Sequence, residues 1–184
     1  MKIIPYAKHF ISEEDLESVN DVLKSDFLTQ GPKIEELEKQ FSNYVGSKYS
    51  IAVSSGTAAL HLCALSLNVN SGDRVLTTPL TFVASANCIK YCGGDVSFID
   101  IDPNTYLMSI DKLLLEIKNK PRGFYKGIVI VNFAGRVNDL SEFRNIADEY
   151  DLWIIEDACH SPGGYFLSQN NQKIYAGSGE YSDL

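Results

Sequence analysis

From Tyr49 onward, short apolar runs alternate with longer stretches whose apolar residues recur every three or four positions. The short runs have strand length and the longer ones helix period. Strands are expected at Ser50–Val53, Arg74–Thr77, Val96–Ile99, Gly127–Val131 and Leu152–Ile155. Helices are expected between them at Thr57–Leu67, Thr81–Tyr91, from a Ser109 cap to Ile117, and at Leu140–Tyr150. In the first of these Leu60, Cys63, Ala64 and Leu67 face inward. Strand–helix alternation of this kind implies an α/β fold, a mostly parallel sheet with helices on both faces. Tyr165–Tyr175 reads as a hairpin turning at Gln169-Asn170-Asn171.

Residues 1–48 follow a different pattern and form an N-terminal helical segment, with residues 49–184 making up the α/β part. Ser12 with Asp15 is a capping-box-like start for a helix reaching about Ser25. Pro32 suits the first turn of a second helix, whose Ile34, Leu37, Phe41 and Tyr44/Val45 share a face and which Gly46 ends. Both helices precede the strands, so they belong outside the sheet or against a partner.

Composition narrows the function. The chain is 45% hydrophobic and 22% charged, as folded domains are. Its net charge of -8, with scattered lysines and arginines, argues against nucleic acid, whose phosphates need a basic patch. No apolar run approaches membrane-spanning length and the N-terminus lacks the apolar core of a signal peptide, so the expected location is cytoplasmic. Cys63, Cys88, Cys92 and Cys159 are expected to be reduced thiols. A zinc site using Cys88, Cys92, Cys159 and His160 is disfavoured, because Cys-x3-Cys within a helix is not a zinc spacing.

Candidate chemistry gathers at the carboxyl ends of the strands, where open α/β sheets place ligands. Leu152–Ile155 stops at Glu156-Asp157, and Pro162-Gly163-Gly164 then turns the chain. A carboxylate there calls for a cationic partner. Asp157 is the candidate, with His160 three residues on. Ser54-Ser55-Gly56-Thr57 opens a helix and can form an anion site from a close backbone approach, a hydroxyl and free N–H groups. A simple N-cap is the plainer alternative. Phe82 can cover a planar ring or serve the core, and Asn132-Phe133-Ala134-Gly135 can line the site or merely turn. Together a phosphate cradle, an aromatic plane and a buried carboxylate suit a flat phosphorylated ring with a basic nitrogen. Neither Gly-x-Gly-x-x-Gly after an early strand nor a P-loop occurs. Tyr44 and Lys48 match a Tyr-x-x-x-Lys pair, but without the glycine motif they do not carry a dehydrogenase reading.

Four stretches resemble the nucleotide-sugar aminotransferases, fold type I enzymes that use pyridoxal 5′-phosphate (PLP). They are Ser25–Pro32, Val53–Leu62, Thr77–Asn87 and Ile155–His160, in family order across nearly the whole chain. Leu-Thr-Gln-Gly and Thr-Phe-Val-Ala-Ser-Ala-Asn are most similar to the UDP-4-amino-4,6-dideoxy-N-acetyl-β-L-altrosamine transaminases of pseudaminic acid synthesis. The resemblance implies the N-terminal part of the large PLP-binding domain. It implies that Gly56, Thr57 and the Ala58 N–H hold the phosphate, Phe82 stacks on the ring, Asp157 pairs with the pyridinium nitrogen, and His160 lies near the ring hydroxyl. It also implies transfer of an amino group from glutamate to C4 of a UDP-linked 4-keto-6-deoxy-N-acetylhexosamine, in a homodimer. Asn132 stands where many relatives have His. The family's Schiff-base lysine is expected beyond Leu184, which would leave this chain inactive alone. The alternatives are a PLP-dependent sugar dehydratase of the same family and a non-catalytic remnant.

Overall fold

A computed structural model describes residues 8–184. Strands β1 (Arg74–Thr77), β2 (Asp95–Phe98), β3 (Gly127–Val131) and β4 (Trp153–Asp157) form one parallel sheet in the order β2-β1-β3-β4. The order places β1 and β3 at its centre. Every residue of β3 is buried, which explains its unbroken apolar run Gly-Ile-Val-Ile-Val.

Side-chain alternation splits the core into two layers. Leu76, Ile128, Ile130 and Ile154 pack on one face with helices α5 (Ile110–Lys118) and α6 (Leu140–Tyr150). Their neighbours Val75, Val129 and Ile155 pack on the other face with α3 (Gly56–Ser66) and α4 (Ala84–Tyr91). The predicted architecture of a parallel sheet covered on both faces is therefore observed. Ser55, Ser109 and Asp139 cap α3, α5 and α6 through their side-chain oxygens. Strands β5 (Tyr165–Leu167) and β6 (Lys173–Tyr175) form the expected antiparallel hairpin.

Two further helices lie before α3 in the chain, α1 (Glu13–Leu23) and α2 (Pro32–Val45). The Ser12–Asp15 capping box is present in full. Helix α1 buries no residue and α2 buries only Val45. Tyr44 ties α2 to the hairpin, its ring centroid 5.6 Å from that of Tyr175.

The expected strand Ser50–Val53 does not form, and the segment is irregular and largely exposed. A strand needs a neighbouring backbone. Here the Ala52 N–H instead donates to Glu38 Oε1 at 2.8 Å, on α2. Helix α4 starts at Ala84 rather than Thr81, because the chain bends at Thr81 and then makes a turn over Phe82–Ser85 closed by the Ser85 N–H to Phe82 carbonyl bond.

At the outer edge of β4 the last two residues run alongside it. The Asp183 N–H donates to the Ile154 carbonyl and the Glu156 N–H to the Leu184 carbonyl, each at 2.9 Å. Asp183 Oδ2 also accepts from the Ile154 N–H and from Arg144 of α6. Among the described residues, no helix is long and apolar enough to cross a membrane.

Candidate active site

The carboxyl ends of β3 and β4 and the N-terminus of α3 meet around a cavity of about 230 Å3. Gly56, Thr57, Phe82, Asn132, Asp157 and His160 are among the residues that line it. Five of the six residues selected from sequence thus converge on one hollow, although they span about a hundred positions of chain.

Asp157 is the last residue of β4 and is only 6% exposed. Its Oδ2 accepts from Ser85 Oγ at 2.5 Å, and its Oδ1 accepts from the Cys159 N–H at 3.3 Å. No lysine or arginine among the described residues forms an ion pair with it. A buried carboxylate held by two donors and facing a cavity without a cation of its own suits a cationic ligand atom. That donor set fits a protonated pyridine nitrogen.

Helix α3 directs its N-terminus at the same cavity. Ala58 departs from expectation, since its N–H is taken by Ser55 Oγ at 3.2 Å and it does not line the hollow. The cap therefore takes only part of the first turn. Ser55 satisfies the third N–H, leaving the N–H groups of Gly56 and Thr57, the Thr57 hydroxyl and the positive end of the helix at the cavity, a donor set that an anion would fit.

Gly56 has a different reason to be glycine than a phosphate's bulk. A Cβ built there would lie 2.7 Å from Cys159 Sγ. Gly56→Ala is accordingly expected to cost about 1 kcal/mol without any ligand, the scale of forcing a side chain off its rotamer. Cys159→Ala in the same chain should return most of it. Thermal unfolding of the single and double variants checks this, and a penalty that survives the second change would place the conflict elsewhere.

Cys159 is exposed as a residue, unlike Cys63, Cys88 and Cys92, which are buried or half-buried. Its thiol is nonetheless pushed up to about 12, first by desolvation and then by the Asp157 carboxylate beside it. A thiol so raised is protonated at neutral pH and no nucleophile.

Phe82 is 69% exposed and projects at the cavity from the turn before α4, so it is not a core residue. His160 lies in the turn after β4. Asn132, the position whose role was open, proves to be a structural junction. It is 1% exposed. Its Nδ2 donates to Glu156 Oε1 at 2.7 Å and to Ser161 Oγ at 3.1 Å. Its Oδ1 accepts from the Asn138 N–H at 3.0 Å and from Asn138 Nδ2 at 2.9 Å. With four bonds made, its amide has no capacity left for a ligand. Glu156 in turn accepts from the Gly177 N–H at 2.8 Å, and burial raises its pKa above the ordinary value. The β3 turn is pressed onto the His160 loop, since a Cβ at Gly135, where φ is +84°, would lie 2.9 Å from the His160 carbonyl oxygen.

Sequence reasoning missed Ser85 and Thr81 as parts of the site, and Glu156, Asn138 and Ser161 as its scaffold. One signal was available for the first pair. Thr81 and Ser85 are four apart, a spacing that stacks two hydroxyls when a turn leads into a helix.

A parallel α/β sheet, a helix N-terminus, an exposed aromatic and a buried carboxylate at one strand-end cavity define a fold type I cofactor domain. Residues 9–178 match the DegT/DnrJ/EryC1/StrS aminotransferase family, and the chain belongs to it. An uncharacterized protein of Methanocaldococcus jannaschii is 40% identical over 89% of this chain and 41% of its own length. The spore coat polysaccharide biosynthesis protein SpsC of Bacillus subtilis is 39% identical over 86% of this chain and 40% of its own. The structure of Bacillus subtilis NtdA with bound cofactor PMP superposes with a TM-score of 0.78 at 34% identity, covering 93% of this chain and 36% of that one. The chain therefore spans about two fifths of the length of the curated relatives it matches.

Proposed function

We propose that this chain supplies the cofactor-holding half of a PLP-dependent sugar aminotransferase. The observation that carries the reading is Asp157, buried at the end of β4 with both oxygens accepting and no cationic side chain paired to it among the described residues. Asp157 would hold the proton of the ring nitrogen. The Gly56 and Thr57 N–H groups and the Thr57 hydroxyl would bind the phosphate at the start of α3. Phe82 would cover one face of the ring and exclude water, and His160 would lie by the ring hydroxyl. When bound, the cofactor supplies an electron sink for carbanion chemistry at the substrate carbon.

The family membership, and the relative named for spore coat polysaccharide, support a sugar as amino acceptor. We take the reaction to be amino transfer from glutamate to C4 of a UDP-linked 4-keto-6-deoxy-N-acetylhexosamine, in a homodimeric enzyme of surface-sugar synthesis. Moving a proton between substrate carbon and cofactor needs an amine. Among the described residues no lysine lines the cavity, so that amine is assigned to a part of the enzyme outside this hollow.

Borohydride reduction of the chain with PLP tests the assignment. The expected result is cofactor bound at the cavity but no stoichiometric adduct on one lysine, and no turnover of glutamate with the keto sugar. A single stoichiometric lysine adduct accompanied by turnover would show that the catalytic amine has been misplaced.

A further inference from the structure

The Ser85 hydroxyl that holds Asp157 belongs to a short chain of hydroxyls reaching back to the cavity through Thr81. Ser85, on the first turn of α4, is 0% exposed, and its Oγ is within reach of three oxygens. Asp157 Oδ2 is at 2.5 Å, Thr81 Oγ1 at 2.7 Å and the Phe82 carbonyl at 3.2 Å. A serine has one proton to give. The contact to the carboxylate is the shortest and lies at the length of a charge-assisted O–H···O bond. The Ser85 proton therefore goes to Asp157. The direction of the next bond follows, because Ser85 Oγ can then only accept from Thr81, which must donate. Thr81 lines the cavity.

The sequence Thr81 to Ser85 to Asp157 is thus polarised toward the carboxylate. Each donated bond strengthens the next. The Cys159 N–H occupies the other carboxylate oxygen, so contacts on both oxygens hold the side chain against rotation. A carboxylate fixed in this way presents a set direction to a cation and a poor environment to a neutral C–H.

We propose that Ser85, supported by Thr81, is a positioning residue that makes the site selective for a ring carrying a protonated nitrogen. The proposal rests on the cofactor reading given above. Both residues act through Asp157.

The test compares two probes on the 184-residue chain: pyridoxamine 5′-phosphate and its 1-deaza analogue, in which a C–H replaces the ring nitrogen. Affinities are measured by calorimetry, with thermal melts as a check on folding. The unmodified chain is expected to prefer the nitrogen-bearing ring. Ser85→Ala, which keeps a good helix former, is expected to cut that preference about tenfold, the scale of one hydrogen bond to a charged group. Thr81→Val, at the cavity's edge, should cut it in the same direction by a smaller factor, and it decides the matter if Ser85→Ala fails to fold. Equal losses for both probes would mean that Ser85 only supports the fold, and would overturn the proposal. An unchanged preference in the variants would overturn it too. If the unmodified chain binds neither probe, the cofactor reading itself falls and takes this proposal with it. If it binds both equally, the pairing of Asp157 with the ring nitrogen falls, and the proposal again goes with it.

Discussion

Asp157→Asn is expected to lower affinity for pyridoxamine 5′-phosphate by about a hundredfold or more, while the thermal midpoint without cofactor stays level or rises. Breaking a buried ion pair by removing one partner costs about 3–5 kcal/mol, and about 1.4 kcal/mol is a tenfold change in affinity. The free protein behaves differently because its carboxylate is buried without a paired cation among the described residues. An amide of the same shape removes that charge and can still accept from Ser85 through its remaining oxygen. Calorimetric binding and thermal unfolding of the same variant separate the two effects. Equal affinity in the variant would remove Asp157 from the cofactor's partners.

Asn132→Ala should do the reverse, damaging the fold before the ligand. It deletes four hydrogen bonds at a fully buried position. Glu156 then loses the donor to Oε1 and the Asn138 N–H loses its acceptor, both inside the protein. Buried groups left unsatisfied cost about 1–3 kcal/mol each, so a total near 3 kcal/mol is expected. For a chain of this size that is a drop in thermal midpoint of roughly 6–12 °C. The variant should also loosen the turns after β3 and β4 together, because Asn132 joins Asn138 on one side to Glu156 and Ser161 on the other. Circular dichroism melts give the number. A loss below about 0.5 kcal/mol, the size of an ordinary surface change, would mean that the junction carries no weight.

The contrast between these two residues shows how far reading the chain could go. Asp157 was selected because a carboxylate at the end of an apolar strand has few reasons to be there. That argument needs only the local pattern and the general location of ligands in α/β sheets. Asn132 lies one residue past the end of β3, at the same end of the sheet, yet its role was invisible. Its partners are Asn138, Glu156 and Ser161, and whether an amide faces such neighbours or a cavity depends on side-chain rotamers. Gly56 teaches the same lesson. A glycine at a helix start was legible as a close approach, but the approaching atom is Cys159 Sγ, about a hundred residues away along the chain.

Local sequence determined the elements wherever the signal was periodic or lay between near neighbours in the chain. The buried runs of β1, β3 and β4, the caps at Ser12, Ser109 and Asp139, and the turn between β5 and β6 follow from side-chain period and from hydrogen bonds to near neighbours. The sequence also determined the two-sided sheet, since strands apolar on both faces need covering on both. Tertiary structure alone decided the strand order β2-β1-β3-β4 and the fate of Ser50–Val53, which has strand-forming residues but whose Ala52 N–H is taken by Glu38 of α2. It alone decided that Ser85 faces Asp157, 72 positions apart. The physical reason is common to these cases: a ladder bond, a donated proton and a steric contact each need two partners, and the chain brings such partners together only when it folds.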